Sequence, residues 1–475
     1  MVLVMLMAFN NNALKFIFNY QMFKNIKKLS LLLIILSNLN AVEKPNIIFI
    51  MADDLGVGDL SSYGAKDMST PNIDKLMKDG CRLDNAYANC PVCSPTRAAF
   101  LTGRYPDMVG VPGVIRTHKV NNWGYLSPGA KTLPSLLKEA GYYSALIGKW
   151  HLGLLEPNTP NGRGFDYFKG FLGDMMDDYY NYKRHGVNYM RENKEVINPK
   201  GHATDLFSEW SVDFIKNRSQ KEDPFFLFLS YNAPHTPIQP PKDWLDKVTE
   251  REKDISPQRA KLVSLIEHMD YGIGRVMQAA AELDNTIIVF TSDNGGQANV
   301  GARNSPWKGE KQQMWEGGLR VPACIVWKGV IQSGTTYSKD SMTMDWMPTI
   351  AEIVGLKKPT NIDGVSMLSG VLGKNNNTVS DRTLVWVRRE GGSRYKGQAY
   401  YAVRKGPWKI LQNTSTEPFE LYNIKNDPTE MNSVTNNVKK LRELENVLRE
   451  HVRNTGFVPW QGRSPDVEKV DYKQK

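Results

Sequence analysis

Short apolar runs closed by Asp, Asn, His or Gly recur along the chain and alternate with segments of helical period. Asn46 to Met51, Tyr143 to Ile147, Phe225 to Ser230, Thr286 to Thr291 and Ala323 to Trp327 are near-continuous in Ile, Val, Leu, Phe and Ala. Runs of that kind read as strands buried on both faces. Helices are predicted between them: one opened by Thr70-Pro71 and stopped at Gly80, one from Thr132 to Gly141, and a longer one over Leu262 to Leu283. Strand and helix alternating over some 300 residues predict an α/β domain around a largely parallel sheet. Beyond Asn375-Asn-Asn-Thr, a predicted linker, the texture changes. Thr383 to Arg388, Ala399 to Arg404 and Trp408 to Gln412 read as antiparallel strands, and Val434, Val438, Leu441, Leu444, Leu448 and Val452 as the apolar face of a last helix. The expected organisation is a leader over 1–41, a main α/β domain over 43–375 and a smaller antiparallel-sheet subdomain over 376–475.

Composition narrows the class. With 475 residues, 41% hydrophobic and 23% charged, the chain has globular averages, which excludes disordered, collagen-like and disulfide-scaffold proteins. Lys and Arg exceed Asp and Glu by ten, which favours polyanionic partners, nucleic acid or an acidic glycan. Part of that excess lies in the leader. Lys24, Lys27 and Lys28 precede Leu29-Ser-Leu-Leu-Leu-Ile-Ile-Leu36, and Ala41 offers a cleavage site, the pattern of a secretory signal with Met22 as the effective start. The run is too short to span a bilayer and no comparable stretch follows, so export to the periplasm or medium without a stable membrane anchor is predicted. Removing residues 1–41, which hold four Lys and no acid, leaves +6. Four cysteines are few for an exported chain of this length, although Cys90-Pro-Val-Cys93 has the spacing of a redox pair.

Four polar clusters follow the predicted strands: Asp53-Asp54, Lys149-Trp-His151, Asn232-Ala-Pro-His235 and Asp293-Asn294-Gly-Gly. In open α/β sheets the ligand crevice lies beyond the carboxyl ends of the strands, so all four are expected at one edge. Asp53, Asp54, Asp293 and Asn294 offer only oxygen ligands, a set suited to Ca²⁺ or Mg²⁺ rather than zinc. The seven His show no H-x-x-x-H spacing, which argues against a two-zinc site. In Cys93-Ser-Pro95-Thr-Arg97, Ser94 reads as an N-cap and Pro95 as the first helical residue, which sets Cys93 at a helix entrance that favours anions.

That segment, with Phe100-Leu-Thr-Gly103-Arg104, resembles the signature of the formylglycine-dependent (type I) sulfatases, C-x-P-x-R followed by T-G-R. Thr96 stands where Ser is commoner. The likeness continues through Asn46-Ile-Ile-Phe-Ile-Met-Ala-Asp-Asp-Leu, Gly148-Lys-Trp-His-Leu-Gly, Thr291-Ser-Asp-Asn-Gly-Gly and Phe419-Glu-Leu-Tyr-Asn-Ile, and so spans nearly the whole chain after the leader. The resemblance implies an alkaline-phosphatase-like fold. It also implies that a formylglycine-generating or equivalent maturation enzyme oxidises Cys93 to an aldehyde. One hydroxyl of its hydrate attacks the sulfur of a sulfate ester, the alcohol leaves, and the other hydroxyl expels sulfate. Asp53, Asp54, Asp293, Asn294 and the converted Cys93 are assigned to one Ca²⁺.

On the same reading Arg97 orients the hydrated aldehyde, and Lys149 and Lys308 hold sulfate oxygens. His151 is the candidate base and His235 the candidate acid for the leaving oxygen. Lys308 is preferred to its rival Lys311 on its Trp-Lys-Gly context. His185 and His202 are placed at the surface or near substrate, and Arg303 and Asn304 near sugar. The predicted activity is removal of sulfate from a glycan, most simply an algal polysaccharide: ulvan first, then carrageenan, agar or fucoidan. A thiol-disulfide oxidoreductase leaves the acidic cluster idle. A phosphatase or phosphonate hydrolase of the same superfamily, and a catalytically silent binder of sulfated glycan, are the competing readings; nucleic acid is not an expected partner.

Overall fold

The computed structural model describes residues 44–455 apart from 118–124, 358, 375–381, 392–394 and 396. The leader and the linker at Asn375 lie outside the described residues. A ten-stranded mixed sheet forms the centre. Across it the order is Thr335–Tyr337, Cys81–Leu83, Ala323–Trp327, Thr286–Ser292, Asn46–Ala52, Phe225–Ser230, Tyr143–Lys149, Tyr167–Phe171, Met190–Glu192 and Glu195–Val196. The five strands from Thr286–Ser292 to Tyr167–Phe171 are parallel, and Ala323–Trp327 and Met190–Glu192 run antiparallel beside them. In the first strand Ile47 to Ala52 are all fully buried, as are Phe226, Leu227 and Leu229 in its neighbour. That is the signature of a sheet covered on both faces. The strand Tyr167–Phe171 has no continuous apolar run to announce it, because Lys169 and Gly170 interrupt its aromatics.

Helices cover the sheet. Pro71–Asp79 and Leu133–Glu139 form where predicted. The long helix is Pro257–Ala280, earlier at both ends than expected, because Ser256 caps it by accepting from the Arg259 N–H at 3.3 Å. The helix Cys93–Thr102 is buried along its whole length. It begins one residue before the expected cap: Ser94 is inside it, and its Oγ accepts instead from the Ile115 N–H at 3.1 Å. Phe100 anchors the helix by stacking on Phe49, ring centroids 4.1 Å apart, a contact worth about 0.5–1.5 kcal/mol beyond its burial.

Towards the C-terminus, Thr383–Arg389, Ala399–Lys405, Trp408–Gln412 and Glu420–Asn423 form an antiparallel four-stranded sheet. Alternation along its strands explains its place. Leu384, Trp386, Ala402 and Leu411 pack on Tyr87, Ala99 and Met342 of the main domain, while Val385, Val387, Val403 and Ile410 pack on Leu444 and Leu448 of the helix Val438–Thr455. Val434 precedes that helix rather than joining it, and its N–H bonds the Leu421 carbonyl at 2.7 Å.

Register decides where the chemistry sits. Ala52 pairs with Ser292, Met51 with both Thr291 and Ser230, and Ser230 with Gly148. The strands therefore end level, and Asp53, Asp293, Tyr231 and Lys149 emerge side by side. Gly148 takes φ +108°, and a Cβ there would lie 1.9 Å from the Ser230 carbonyl oxygen. Only glycine lets the two strands close up at this level.

Candidate active site

Asp53 is fully buried and joins three groups. Its Oδ2 accepts from the Lys149 ammonium at 2.5 Å, its Oδ1 from the Cys93 thiol at 3.3 Å, and the Arg97 guanidinium lies 3.8 Å from that Oδ1. Asp54 follows in the left-handed region, φ +66°, which turns its carboxylate back into the same space. Its Oδ1 accepts from Asn294 Nδ2 at 2.8 Å and its Oδ2 from Lys311 Nζ at 2.6 Å, while His235 Nε2 lies 3.6 Å from Oδ2. Arg97 donates from Nε and from a terminal nitrogen to Asp293 Oδ2 at 3.0 and 2.8 Å, and also bonds Ser230 Oγ. Asp53, Asp54, Cys93 and His235 offer ligand atoms all within 4.8 Å of one another. They adjoin a cavity of about 200 Å³ lined by Cys93, His151, His235 and Lys311, with Arg116, Arg184 and Arg388 also on its wall.

Lys308 is not part of this cluster. Its ammonium donates to the Glu430 carbonyl at 3.3 Å and lies 4.3 Å over the Trp315 ring. The preference for Lys308 is therefore corrected: Lys311 is the lysine at the carboxylates, because Gly309 and Gln312 take positive φ and turn this loop over. His202 is also corrected. It is 2% exposed, with Nδ1 accepting from the Thr204 N–H and Nε2 donating to the Gln239 carbonyl. Arg303 pairs with Asp67, and Asn304 is spent on both backbone groups of Gly296, so each serves the loop rather than the cavity. His185 is exposed.

The electrostatics follow from burying four carboxylate or thiol groups among three cations. Burial and the repulsion of Asp53 push Asp293 up to about 7. Burial would also raise Asp54, but Lys311 and His235 outweigh it and hold its carboxyl well below the usual range. Burial pulls the Lys311 ammonium down, yet Asp54 more than compensates and raises it. Burial, then Lys311, lowers His235 to about 3. His151, in the left-handed region at φ +63°, is held neutral by burial and Lys149. Its Nε2 must donate to the Ile115 carbonyl at 2.7 Å, so the buried Nδ1, which has no partner, keeps a free lone pair.

The donor set fits a hard divalent cation. Asp53, Asp54 and Asp293 converge without enough cations to pair every oxygen, and Asn294 Oδ1 is buried with no hydrogen-bond partner. Burial raises the pKa of both Cys90 and Cys93, the opposite of what an attacking thiolate needs. Among the described residues no helix is long and apolar enough to cross a membrane.

Comparison with known proteins gives the family. The family described as Sulfatase matches residues 45–356, and that described as N-sulphoglucosamine sulphohydrolase, C-terminal, matches 307–456. The N-acetylgalactosamine-6-sulfatase of Canis lupus familiaris is 32% identical over 406 residues, covering 80% of this chain and 74% of the relative. A crystal structure of Ps i-CgsB in complex with k-i-k-neocarrahexaose superposes with TM-score 0.80 at 32% identity, covering 89% of this chain and 95% of that one. The PsFucS1 sulfatase from Pseudoalteromonas sp. superposes with TM-score 0.73 at 26% identity, over 90% and 94% of the two chains. With that fold, those ordered motifs and that buried cluster, the chain belongs to the sulfatase family and is a sulfuric ester hydrolase.

Proposed function

We propose that this sulfatase is exported and removes sulfate from a sulfated carbohydrate, with Cys93 converted to formylglycine and one Ca²⁺ held by Asp53, Asp54, Asp293, Asn294 and the converted side chain. The observation that carries the reading is the position of Cys93, at the start of a buried helix, in contact with Asp53 and open to a cavity that Lys311, His151 and His235 share. Formylglycine hydrate would supply the hydroxyl nucleophile, and Ca²⁺ a positive charge beside the transferring group.

The chain's own residues supply the rest. Arg97 holds Asp293 by two N–H bonds and approaches Asp53, so it orients the carboxylates that face residue 93. Lys149 and Lys311 set two ammonium groups where sulfuryl oxygens would gain charge. The free lone pair of His151 Nδ1 suits it to take the hydroxyl proton when sulfate is expelled. His235 Nδ1 donates to the Thr236 carbonyl, so in the neutral ring Nε2, facing Asp54, carries the lone pair, and it would serve as acid to the leaving oxygen only after taking up a proton there.

Carrageenan-type oligosaccharides come ahead of ulvan, supported by the likeness to Ps i-CgsB with its bound neocarrahexaose. The basic surplus left after the leader suits a polyanionic substrate. The reading is tested by Cys93→Ala, which abolishes sulfate release from a panel of carrageenan, ulvan and glycosaminoglycan oligosaccharides while the circular dichroism spectrum is unchanged. Peptide mass spectrometry of the segment around residue 93 detects the aldehyde. Full activity in the variant sinks the mechanism.

A further inference from the structure

We propose that a groove remote from Cys93, walled by Tyr143, Tyr167, Trp210 and Phe214, is a second binding site for sulfated glycan that retains the polymer without cleaving it. The inference rests on the glycan reading above. The groove encloses about 450 Å³ between the starts of two sheet strands and the outer face of the helix Ala203–Arg218. Tyr143 opens the strand that Lys149 closes, so the two sites lie six residue steps, or about 20 Å, apart at opposite edges of the sheet.

Its chemistry matches a chain that is part sugar face and part sulfate. The Phe214 ring lies near-parallel to those of Tyr143 and Tyr167, at 25° and 11°, with both centroids 6.3 Å away. Phe214, itself buried, stacks between the two tyrosines, and the partly exposed rings of Tyr143, Tyr167 and Trp210 give the groove its apolar lining. Cations hang over the rings themselves: Lys169 Nζ is 4.8 Å from the Trp210 centroid and the Arg218 guanidinium 4.5 Å from that of Tyr143. With Lys221 these three cations face a single lining carboxylate, Asp213.

A purely structural role for the cations is the competing account. Lys169 pairs with Glu192 at 3.2 Å and Arg218 with Asp223 at 2.6 Å, but those carboxylates are 39% and 50% exposed. Such surface pairs contribute little, so an arriving sulfate can replace the carboxylate at small cost. Neither pair accounts for the partly exposed Trp210 or for Lys221. Holding polymer at this edge raises the concentration of sulfate esters near the catalytic edge with no new catalytic contact.

Electrophoresis of the folded protein through gels containing ι-carrageenan tests the site. The wild type is retarded by ι-carrageenan and not by neutral agarose, and Trp210→Ala weakens retention about tenfold. Lys221→Glu, fully on the surface, weakens it in the same direction and carries the test if the Trp210 variant misfolds. Both variants keep wild-type kcat/KM on a small aryl sulfate and lose it on polymer. Undiminished retention in both variants overturns the proposal, as does tighter Trp210-dependent retention by single-stranded DNA. The two readings separate: glycan hydrolysis with variant-insensitive retention overturns this site alone, whereas Trp210-dependent retention without hydrolysis of any glycan overturns the catalytic reading alone.

Discussion

Replacing Lys311 with Met and, separately, Lys308 with Met distinguishes two lysines only three positions apart. Lys311 Nζ lies 2.6 Å from Asp54 Oδ2, with the lysine side chain 9% and the aspartate 3% exposed. At an effective dielectric of 20, two unit charges at that separation attract by about 6 kcal/mol. Desolvation offsets part of this, and breaking such a pair costs about 3–5 kcal/mol because the remaining carboxylate stays buried. Stripped of metal by chelator, Lys311→Met should therefore unfold at markedly lower urea. Excess calcium should restore most of the difference, since the cation takes over the uncompensated charge of Asp54. Catalysis should not recover with it. A fixed charge lost from a transferring group costs about 10²–10³ in kcat. Lys308, donating to a carbonyl and resting on Trp315, should lose less than about threefold, as a surface-side cation–π contact is worth about 0.5–1 kcal/mol. Sulfate release from oligosaccharide under saturating calcium reads both. Lys311→Met within tenfold of wild type, or Lys308→Met falling as far, would refute the assignment.

Three further outcomes follow from buried charge. Arg97→Lys cannot reproduce the two N–H bonds to Asp293, so calcium affinity measured by titration calorimetry on chelator-stripped protein should fall about 10–100-fold. Lys409 lies 2.8 Å from Glu316 and 2.7 Å from Glu430, all three buried where the C-terminal sheet meets the main domain; Lys409→Met should lower unfolding free energy by about 3–5 kcal/mol in urea. His202 is lowered to about 4 by burial and by His268, with both ring nitrogens already bonded in the neutral form. The unfolded chain protonates near pH 6.5 and the folded one only near 4. Stability should thus be full above about pH 6.5 and fall by about 3 kcal/mol as pH drops to 4, a loss that His202→Gln should largely remove. An unchanged acid limb in that variant counts against the burial argument.

The parts of the fold legible in the sequence are those whose cause is local. Ile47 to Met51 and Phe225 to Leu229 announce a doubly covered sheet because every residue must be apolar. The polar residues that break those runs fall at one edge, because parallel strands in register end level and put Asp53, Lys149 and Asp293 beside one another. Alternation in Thr383–Arg389 likewise marks a sheet packed on two different partners. Where the cause is tertiary the pattern is silent. Ser94 is an apt cap by type, yet its hydroxyl is claimed by Ile115, twenty-one residues on, and the helix starts earlier. Lys308 and Lys311 share one polar loop with no period. The choice between them is made by the Lys311 N–H bonding Gly296, the Gln312 N–H bonding Pro91, and the positive φ of Gly309.

The same distinction divides the cavity itself. The edge around Cys93 comes mainly from strand ends and one helix start, elements with strong local signals, with Lys311 from a loop as the exception. The wall on the substrate side does not. Arg116 pairs with Glu390, 274 residues away, while Arg184 and Arg388 pair with the nearby Asp174 and Glu390, and it is the fold that brings the three cations to one wall. No spacing announces that convergence. A motif therefore identifies the bond to be broken well before it identifies the molecule that carries it. Exchanging these three arginines should change which sulfated sugar is accepted, leaving turnover of a small aryl sulfate, which needs only the strand-end cluster, close to that of the wild type.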